Sequence, residues 1–133
     1  MIISKRILLV DDNEADNVYH EIVLRRAGYA GEIVVCDSGE VALEYLRAHL
    51  DQPPELVLLD INMPGMDGFE FARSATPYLT GAATATVVML TSSASEADRR
   101  KAHELPVIRG YIIKPLTEHT ATELLAGKFD VNF

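Results

Sequence analysis

The chain alternates short runs that are apolar almost throughout with longer segments in which apolar residues recur at helical spacing. A strand that is apolar at every position has both faces covered, which is typical of a parallel sheet lying between two layers of helices. We therefore predict an α/β fold of five strand–helix units. The predicted strands cover residues 7–10, 33–36, 56–59, 86–90 and 111–113.

The segments between these runs carry signals for the start and end of helices. In the first of them, Val18, Tyr19 and Ile22 fall at helical spacing, and Gly28 marks the end of the helix. The hydroxyl of Ser38 is suited to cap a second helix. The remaining predicted helices start near residue 68 and cover residues 95–103 and 118–126.

Composition restricts the classes of function. The 133 residues suit one domain, and 12 basic against 20 acidic residues give a net charge of -8. An acidic chain without a large basic cluster argues against nucleic-acid binding. No apolar run approaches the roughly 20 residues of a membrane span, so we predict no membrane partner and a cytoplasmic location. Cys36 is the only cysteine, which excludes an internal disulfide.

Polar and charged side chains follow four of the predicted strands directly. Asp11 and Asp12 follow the first strand, Asp60 the third, Thr91 the fourth and Lys114 the fifth. In a doubly wound parallel sheet, the ligand site lies outside the carboxyl ends of the strands. We therefore expect these side chains to meet at one edge of the sheet.

Three carboxylates gathered at one edge repel each other unless a cation or a proton relieves them. Their oxygens suit a hard ion, and Mg²⁺ is commonly bound by one or two carboxylates together with water and phosphate oxygens. A carboxylate can attack phosphorus, and a nearby lysine can neutralise the phosphate oxygens. The residue set thus predicts a magnesium-dependent site for a phosphoryl group.

The same residues resemble the receiver domains of two-component response regulators. The resemblance rests on Asp11-Asp12, on the segment Asp-Ile-Asn-Met-Pro-Gly-Met-Asp-Gly at residues 60–68, on Thr91 and on Lys114-Pro115. It implies a flavodoxin-like, doubly wound five-stranded parallel sheet of order 2-1-3-4-5 with five helices. It also implies that residues 1–133 form a single receiver domain without an output domain, similar to a chemotaxis messenger.

The resemblance further implies roles for the acidic residues. Asp60 would be phosphorylated, and Mg²⁺ would be bound by Asp12, Asp60 and the main-chain carbonyl of Asn62. Asp11 would support the metal through water. Asn62 and Ser93 would modulate the lifetime of the phosphorylated state.

Residues in or directly after the last two strands would respond to the phosphorylated state. Thr91 and Lys114 would contact the phosphoryl group, and the peptide bond between Lys114 and Pro115 would be cis. Thr91 would move toward the phosphoryl group while Tyr111 turns inward, which would reshape a surface for a protein partner. The residues expected at that surface are Glu96, Arg100, Tyr111, Leu116 and Glu118.

The implied partners are a histidine kinase or phosphotransfer protein, a downstream protein target and a possible homodimer. One alternative is a magnesium-dependent phosphohydrolase with an aspartate nucleophile, although Asn62 stands where such enzymes have a second acid. A receiver that serves only as a scaffold is a further alternative. A calcium loop is excluded, because Pro64 takes a ligand position and Phe71 replaces the bidentate glutamate.

Overall fold

The strands form one parallel sheet whose order reverses beside the first strand. The computed structural model describes residues 3–80, 85–130 and 133. Within them, five strands pair in parallel in the order β2-β1-β3-β4-β5. This confirms the predicted sheet and its order. The strands are β1 Arg6–Val10, β2 Glu32–Cys36, β3 Leu56–Leu59, β4 Thr86–Thr91 and β5 Ile108–Ile113.

A helix follows each strand, and each begins at a side chain that accepts a hydrogen bond from the first turn. The capping residues are Asn13, Ser38, Asp67, Ser95 and Thr117. Such caps satisfy backbone N–H groups that have no partner within the helix. The helices are α1 Glu14–Arg26, α2 Gly39–Ala48, α3 Gly68–Leu79, α4 Glu96–His103 and α5 Glu118–Leu125.

Apolar side chains cover both faces of the sheet, as the unbroken apolar runs predicted. Leu8 and Leu59 point to the face covered by α2 and α3, whereas Ile7 and Leu58 point to the face covered by α1 and α5. These strand residues are almost completely buried. No helix in the described part of the chain combines the length and apolar character that a membrane crossing requires.

The first helix presents a different face to the core from the one its apolar spacing indicated. Val18, Tyr19 and Ile22 are 55%, 47% and 46% exposed. The buried face includes two polar residues, Asn17 and His20, which lie toward the carboxyl end of the sheet. Because these polar residues interrupt the apolar pattern, the sequence alone could not identify the buried face.

The fifth strand begins three residues earlier than predicted. The exposed Arg109 and then Gly110 interrupt the apolar run and hide its start. Glycine is required there, since a Cβ atom on Gly110 would collide with the carbonyl oxygen of Phe129. Phe129, in the segment after α5, is itself 4% exposed and belongs to the core.

Candidate functional site

The three acids predicted to meet do meet at the carboxyl edge of the sheet. Strands β1 and β3 are paired neighbours, with Val10 opposite Leu59, so the residues that follow them emerge side by side. Carboxylate oxygens of Asp11, Asp12 and Asp60 all lie within 4.8 Å of one another. Asp11 and Asp60 are buried, whereas Asp12 is exposed, so the cluster opens to solvent on one side.

Each carboxylate oxygen of Asp60 has its own environment. Oδ1 accepts a hydrogen bond of 2.9 Å from the backbone N–H of Ile61. Oδ2 lies 3.6 Å from the Nζ atom of Lys114. Burial is the main cause that raises the pKa of Asp60, and the charge of Asp11 is the second. Lys114, Thr91 and Ile61 act to lower this pKa but do not outweigh burial and Asp11.

Lys114 supplies the positive charge of the site. It follows β5, and its backbone N–H donates to the carbonyl oxygen of Thr91 over 2.8 Å. Its Nζ donates to Oδ2 of Asp11 over 2.7 Å and to Oδ2 of Asp16 over 2.8 Å. Burial acts to lower the pKa of Lys114, but the hydrogen bonds to Asp11 and Asp16 and the charge of Asp60 outweigh it and raise that pKa. The peptide bond to Pro115 is cis, as the resemblance implied.

The acid cluster fits a small divalent cation. Mg²⁺ takes oxygen ligands at about 2.1 Å, so two directly bound oxygens lie at most about 4.2 Å apart. A spread within 4.8 Å therefore lets some of the three carboxylates bind directly, with another acting through water. The donors are all oxygen, which suits Mg²⁺ better than a softer metal.

The loop after β3 is anchored to the start of α3. The backbone N–H of Gly68 donates to the carbonyl oxygen of Ile61 over 2.8 Å. A Cβ atom on Gly68 would collide with the carbonyl oxygen of Asp60, so only glycine fits this contact. Asp67 and Glu70 form a capping box at the first turn of α3. Asn62 lies between these anchors and is exposed beside Asp60.

Tyr111 is completely buried and faces inward. Its hydroxyl donates to the carbonyl oxygen of Ser93 over 2.8 Å, and the guanidinium carbon of Arg99 lies 4.8 Å from its ring centre. The backbone N–H of Ser93 donates to the side-chain oxygen of Thr91, and its hydroxyl donates to Asp98 over 2.6 Å. A continuous chain of contacts thus links Thr91 to the start of α4 and to Tyr111.

The predicted partner surface is corrected at two positions. Leu116 and Tyr111 are both buried and cannot offer their side chains to a partner in this packing. The side chain of Tyr111 packs in the core on the sheet face covered by α2 and α3, and that of Leu116 packs in the core on the opposite face. Glu96, Arg100 and Glu118 are exposed as expected.

Two neighbours of the site were not identified from the sequence. Asp16, in the first turn of α1, hydrogen-bonds to Lys114. The amide of Asn17 donates to the carbonyl oxygen of Asp11 over 2.9 Å, inside the protein. The spacing of Asp16 and Asn17 from the Asp11-Asp12 pair could have identified them. Residues about one helical turn after that pair lie at the same edge of the sheet.

Comparison with known proteins agrees with this geometry. Residues 7–126 match the family described as the response regulator receiver domain. The chain belongs to this family. Its five parallel strands in the order 2-1-3-4-5, with five helices in the described residues, are the fold of receivers of the chemotaxis-protein type. The predicted family and fold are confirmed, and the receiver is a phosphoacceptor signalling module of two-component systems.

Relatives of known name include regulators from archaea and bacteria. The receiver is 38% identical over 114 residues to the probable methanogenesis regulatory protein FilR2 of Methanothrix harundinacea, covering 84% of this chain and 72% of that protein. It is 30% identical over 124 residues to the chemotaxis protein CheY of Halobacterium salinarum, covering 92% and 95%. The structure of a two-component response regulator from Legionella pneumophila superposes with a TM-score of 0.77 at 30% identity, covering 93% and 99%.

Proposed function

We propose that Asp60 is the residue that accepts the phosphoryl group. The observation that carries the proposal is the unequal environment of its two oxygens. The backbone N–H of Ile61 binds Oδ1, while Oδ2 faces the ammonium group of Lys114 across 3.6 Å. A fixed carboxylate with one oxygen turned toward a cation is suited to attack phosphorus while the charge of the incoming group is neutralised.

The transfer itself needs little covalent chemistry from the protein. A carboxylate oxygen of Asp60 forms the bond to phosphorus as the bond between phosphorus and the donor breaks, and the electron pair of that bond leaves with the donor. Lys114 neutralises the phosphoryl oxygens as a point charge. The hydroxyl of Thr91 offers one more hydrogen bond to them.

The metal ligands we propose are Asp12, Asp60 and the main-chain carbonyl of Asn62, with Asp11 acting through water. Bound there, Mg²⁺ would offset the negative charge of the carboxylates and of an incoming phosphoryl group. The exposure of Asp12 supports a site that would stay open on one side to water and a phosphodonor. Asp11 is paired with Lys114, which supports an indirect role.

Thr91 and Tyr111 would transmit the change in charge. The side-chain oxygen of Thr91 accepts a hydrogen bond from the backbone N–H of Ser93, and the hydroxyl of Thr91 would donate to a phosphoryl group on Asp60. The carbonyl of Ser93 accepts from Tyr111, so a shift of Thr91 alters the contact that holds the tyrosine. We expect phosphorylation to shift the population between two packings of α4 and β5, which a downstream protein would distinguish.

Asn62 and Ser93 are the proposed modulators of phosphoryl lifetime. Asn62 is exposed two residues after Asp60, and Ser93 is partly exposed two residues after Thr91. Both positions therefore border the path by which water reaches the site. Exchange of either side chain should change the rate of dephosphorylation.

The proposed phosphodonor is a histidine kinase or a phosphotransfer protein. Val18, Tyr19 and Ile22 give α1 an exposed apolar side. Asp12 and Val18 line the same cleft, so this side of α1 adjoins the acidic site. Apolar surface beside a phosphoacceptor supports a protein donor over a small molecule alone. The possible homodimer stays a prediction.

The deciding experiment is intact-mass measurement after incubation with acetyl phosphate and Mg²⁺. The native chain should gain one phosphoryl group, and Asp60→Asn should gain none. Asp67→Asn is a matched control, because it makes the same chemical change at a helix cap that asparagine also fills well. A native chain that gains no mass, or an Asp60→Asn variant that gains it, would overturn the assignment. Phosphate release over many turnovers from small esters would instead favour the phosphohydrolase.

A further inference from the structure

Lys114 has three N–H donors, and two of them are directed to acids other than Asp60. Its Nζ lies 2.7 Å from Oδ2 of Asp11 and 2.8 Å from Oδ2 of Asp16. Both distances are those of strong, charge-assisted hydrogen bonds. The distance of 3.6 Å to Oδ2 of Asp60 exceeds a hydrogen bond. The ammonium group is therefore held slightly away from the proposed phosphoacceptor.

Asp16 differs from the other acids of the site. It lies in the first turn of α1, and its backbone N–H donates to the capping oxygen of Asn13, which fixes its position. Its side chain is 37% exposed, against 6% for that of Asp11. It is not one of the three acids that approach one another closely enough to share a metal. The proposed chemistry gives Asp16 no part in binding either the metal or the phosphoryl group.

We infer that Asp16 is a positioning residue that competes with the phosphoryl group for Lys114 and thereby restrains phosphorylation of Asp60. The inference rests on the proposed function of Asp60. When the phosphoryl oxygens arrive, they need the ammonium group that Asp16 shares. Asp16 also adds a negative charge beside a site that must admit an anion, so both effects oppose the transfer.

Asp11 keeps the lysine in place when Asp16 is removed. The pair between Lys114 and Asp11 is largely shielded from solvent, with the two side chains 13% and 6% exposed. The pair with Asp16 lies nearer to solvent and is therefore the weaker of the two. Loss of Asp16 should thus free one donor of Lys114 without releasing the lysine from the site.

The test compares three variants by their initial rate of mass gain with acetyl phosphate and Mg²⁺. Asp16→Asn removes the competing charge, and Asp16→Glu retains it. Glu14→Gln is the matched control, because Glu14 lies in the same first turn of α1 and its loss changes the same helix-end charge. Circular dichroism at each temperature used would establish that all variants are folded.

Asp16→Asn should be phosphorylated about two- to fivefold faster than the native chain, as expected for loss of a partly exposed ion pair. Asp16→Glu and Glu14→Gln should stay within about twofold of the native rate. The increase in the phosphorylation rate of Asp16→Asn should shrink as ionic strength rises, because salt screens partly exposed charges. A purely structural role for Asp16 would produce neither the rescue by glutamate nor the dependence on salt.

Several results would overturn the inference. An unchanged or slower Asp16→Asn rate would show that Asp16 does not restrain Lys114. Equal gains in Asp16→Asn and Glu14→Gln would indicate a general charge effect, and equal gains in Asp16→Asn and Asp16→Glu would show that the charge is not decisive. If the native chain accepts no phosphoryl group at all, the proposed function of Asp60 fails and the inference fails with it.

Discussion

Replacement of Asp60 with asparagine removes a buried negative charge while the size of the side chain stays nearly the same. Asparagine can still accept the hydrogen bond from Ile61 through its carbonyl oxygen. The change therefore isolates the energetic effect of the charge. Without Mg²⁺, we expect this variant to be more stable than the native receiver although it cannot be phosphorylated.

The magnitude follows from the charges around Asp60. At an effective dielectric constant of about 20, repulsion from Asp11 at a separation of at most 4.8 Å is about 3.5 kcal/mol or slightly more, and attraction to Lys114 across 3.6 Å is about 4.6 kcal/mol. These two contributions nearly offset each other. Burial of the carboxylate, at 6% exposure, then costs several kcal/mol. The hydrogen bond from Ile61 recovers part of that cost.

The net effect is a gain of about 1 to 2 kcal/mol in the free energy of unfolding for Asp60→Asn. For a domain of this size, that gain corresponds to a rise in Tm of about 3 to 10 °C. Thermal denaturation followed by circular dichroism in EDTA at pH 7 would measure the shift. Asp67→Asn serves again as the matched control and should change Tm by less than about 2 °C.

The stability difference between Asp60→Asn and the native chain should depend on pH. Burial and Asp11 raise the pKa of Asp60 in the folded state above its ordinary value of 3.8. The folded state therefore binds a proton more readily than the unfolded state, so the destabilising charge is fully present above the raised pKa. It is lost as the pH falls through that pKa toward 3.8. The stability advantage of Asp60→Asn should therefore narrow as the pH is lowered from 7 toward 3.8.

Two results would refute this account. A Tm of Asp60→Asn equal to or below that of the native chain in EDTA would show that Lys114 and the hydrogen bond from Ile61 compensate fully for burial. An advantage that stays constant on acidification would show that the charge of Asp60 is not its source. Addition of Mg²⁺ should reduce or reverse the difference in Tm. An ion that binds only the folded state stabilises it, and the native chain keeps the Asp60 carboxylate that we propose as a ligand.

Three further substitutions test the surroundings of the site. Lys114→Met leaves the buried Asp11 without its cation. Urea denaturation at pH 7 should show a loss of about 2 to 4 kcal/mol in the free energy of unfolding. Tyr111→Phe removes the hydrogen bond to Ser93 and should cost about 1 kcal/mol by the same measurement. Gly68→Ala forces a Cβ atom against the carbonyl of Asp60 and should cost about 2 kcal/mol or more, with slower phosphorylation by intact mass. An unchanged midpoint for any of the three would contradict the contact on which it rests.

The sequence by itself determined the fold and which residues form the central site. Buried parallel strands must be apolar at nearly every position, and this local pattern can be recognised in the sequence alone. Because parallel strands end at one edge, the residues after each run were predicted to meet, and Asp11, Asp60 and Lys114 do so. The motif at residues 60–68 added the family.

Only the tertiary structure decided which face of α1 is buried and how Lys114 divides its hydrogen bonds. The rotation of a helix about its axis depends on its packing against the sheet, and the polar Asn17 on the buried face hides that choice from the apolar pattern. Asp16 and Lys114 lie 98 positions apart in the chain, so no local spacing connects them. Their contact exists because α1 starts at the sheet edge where β5 ends.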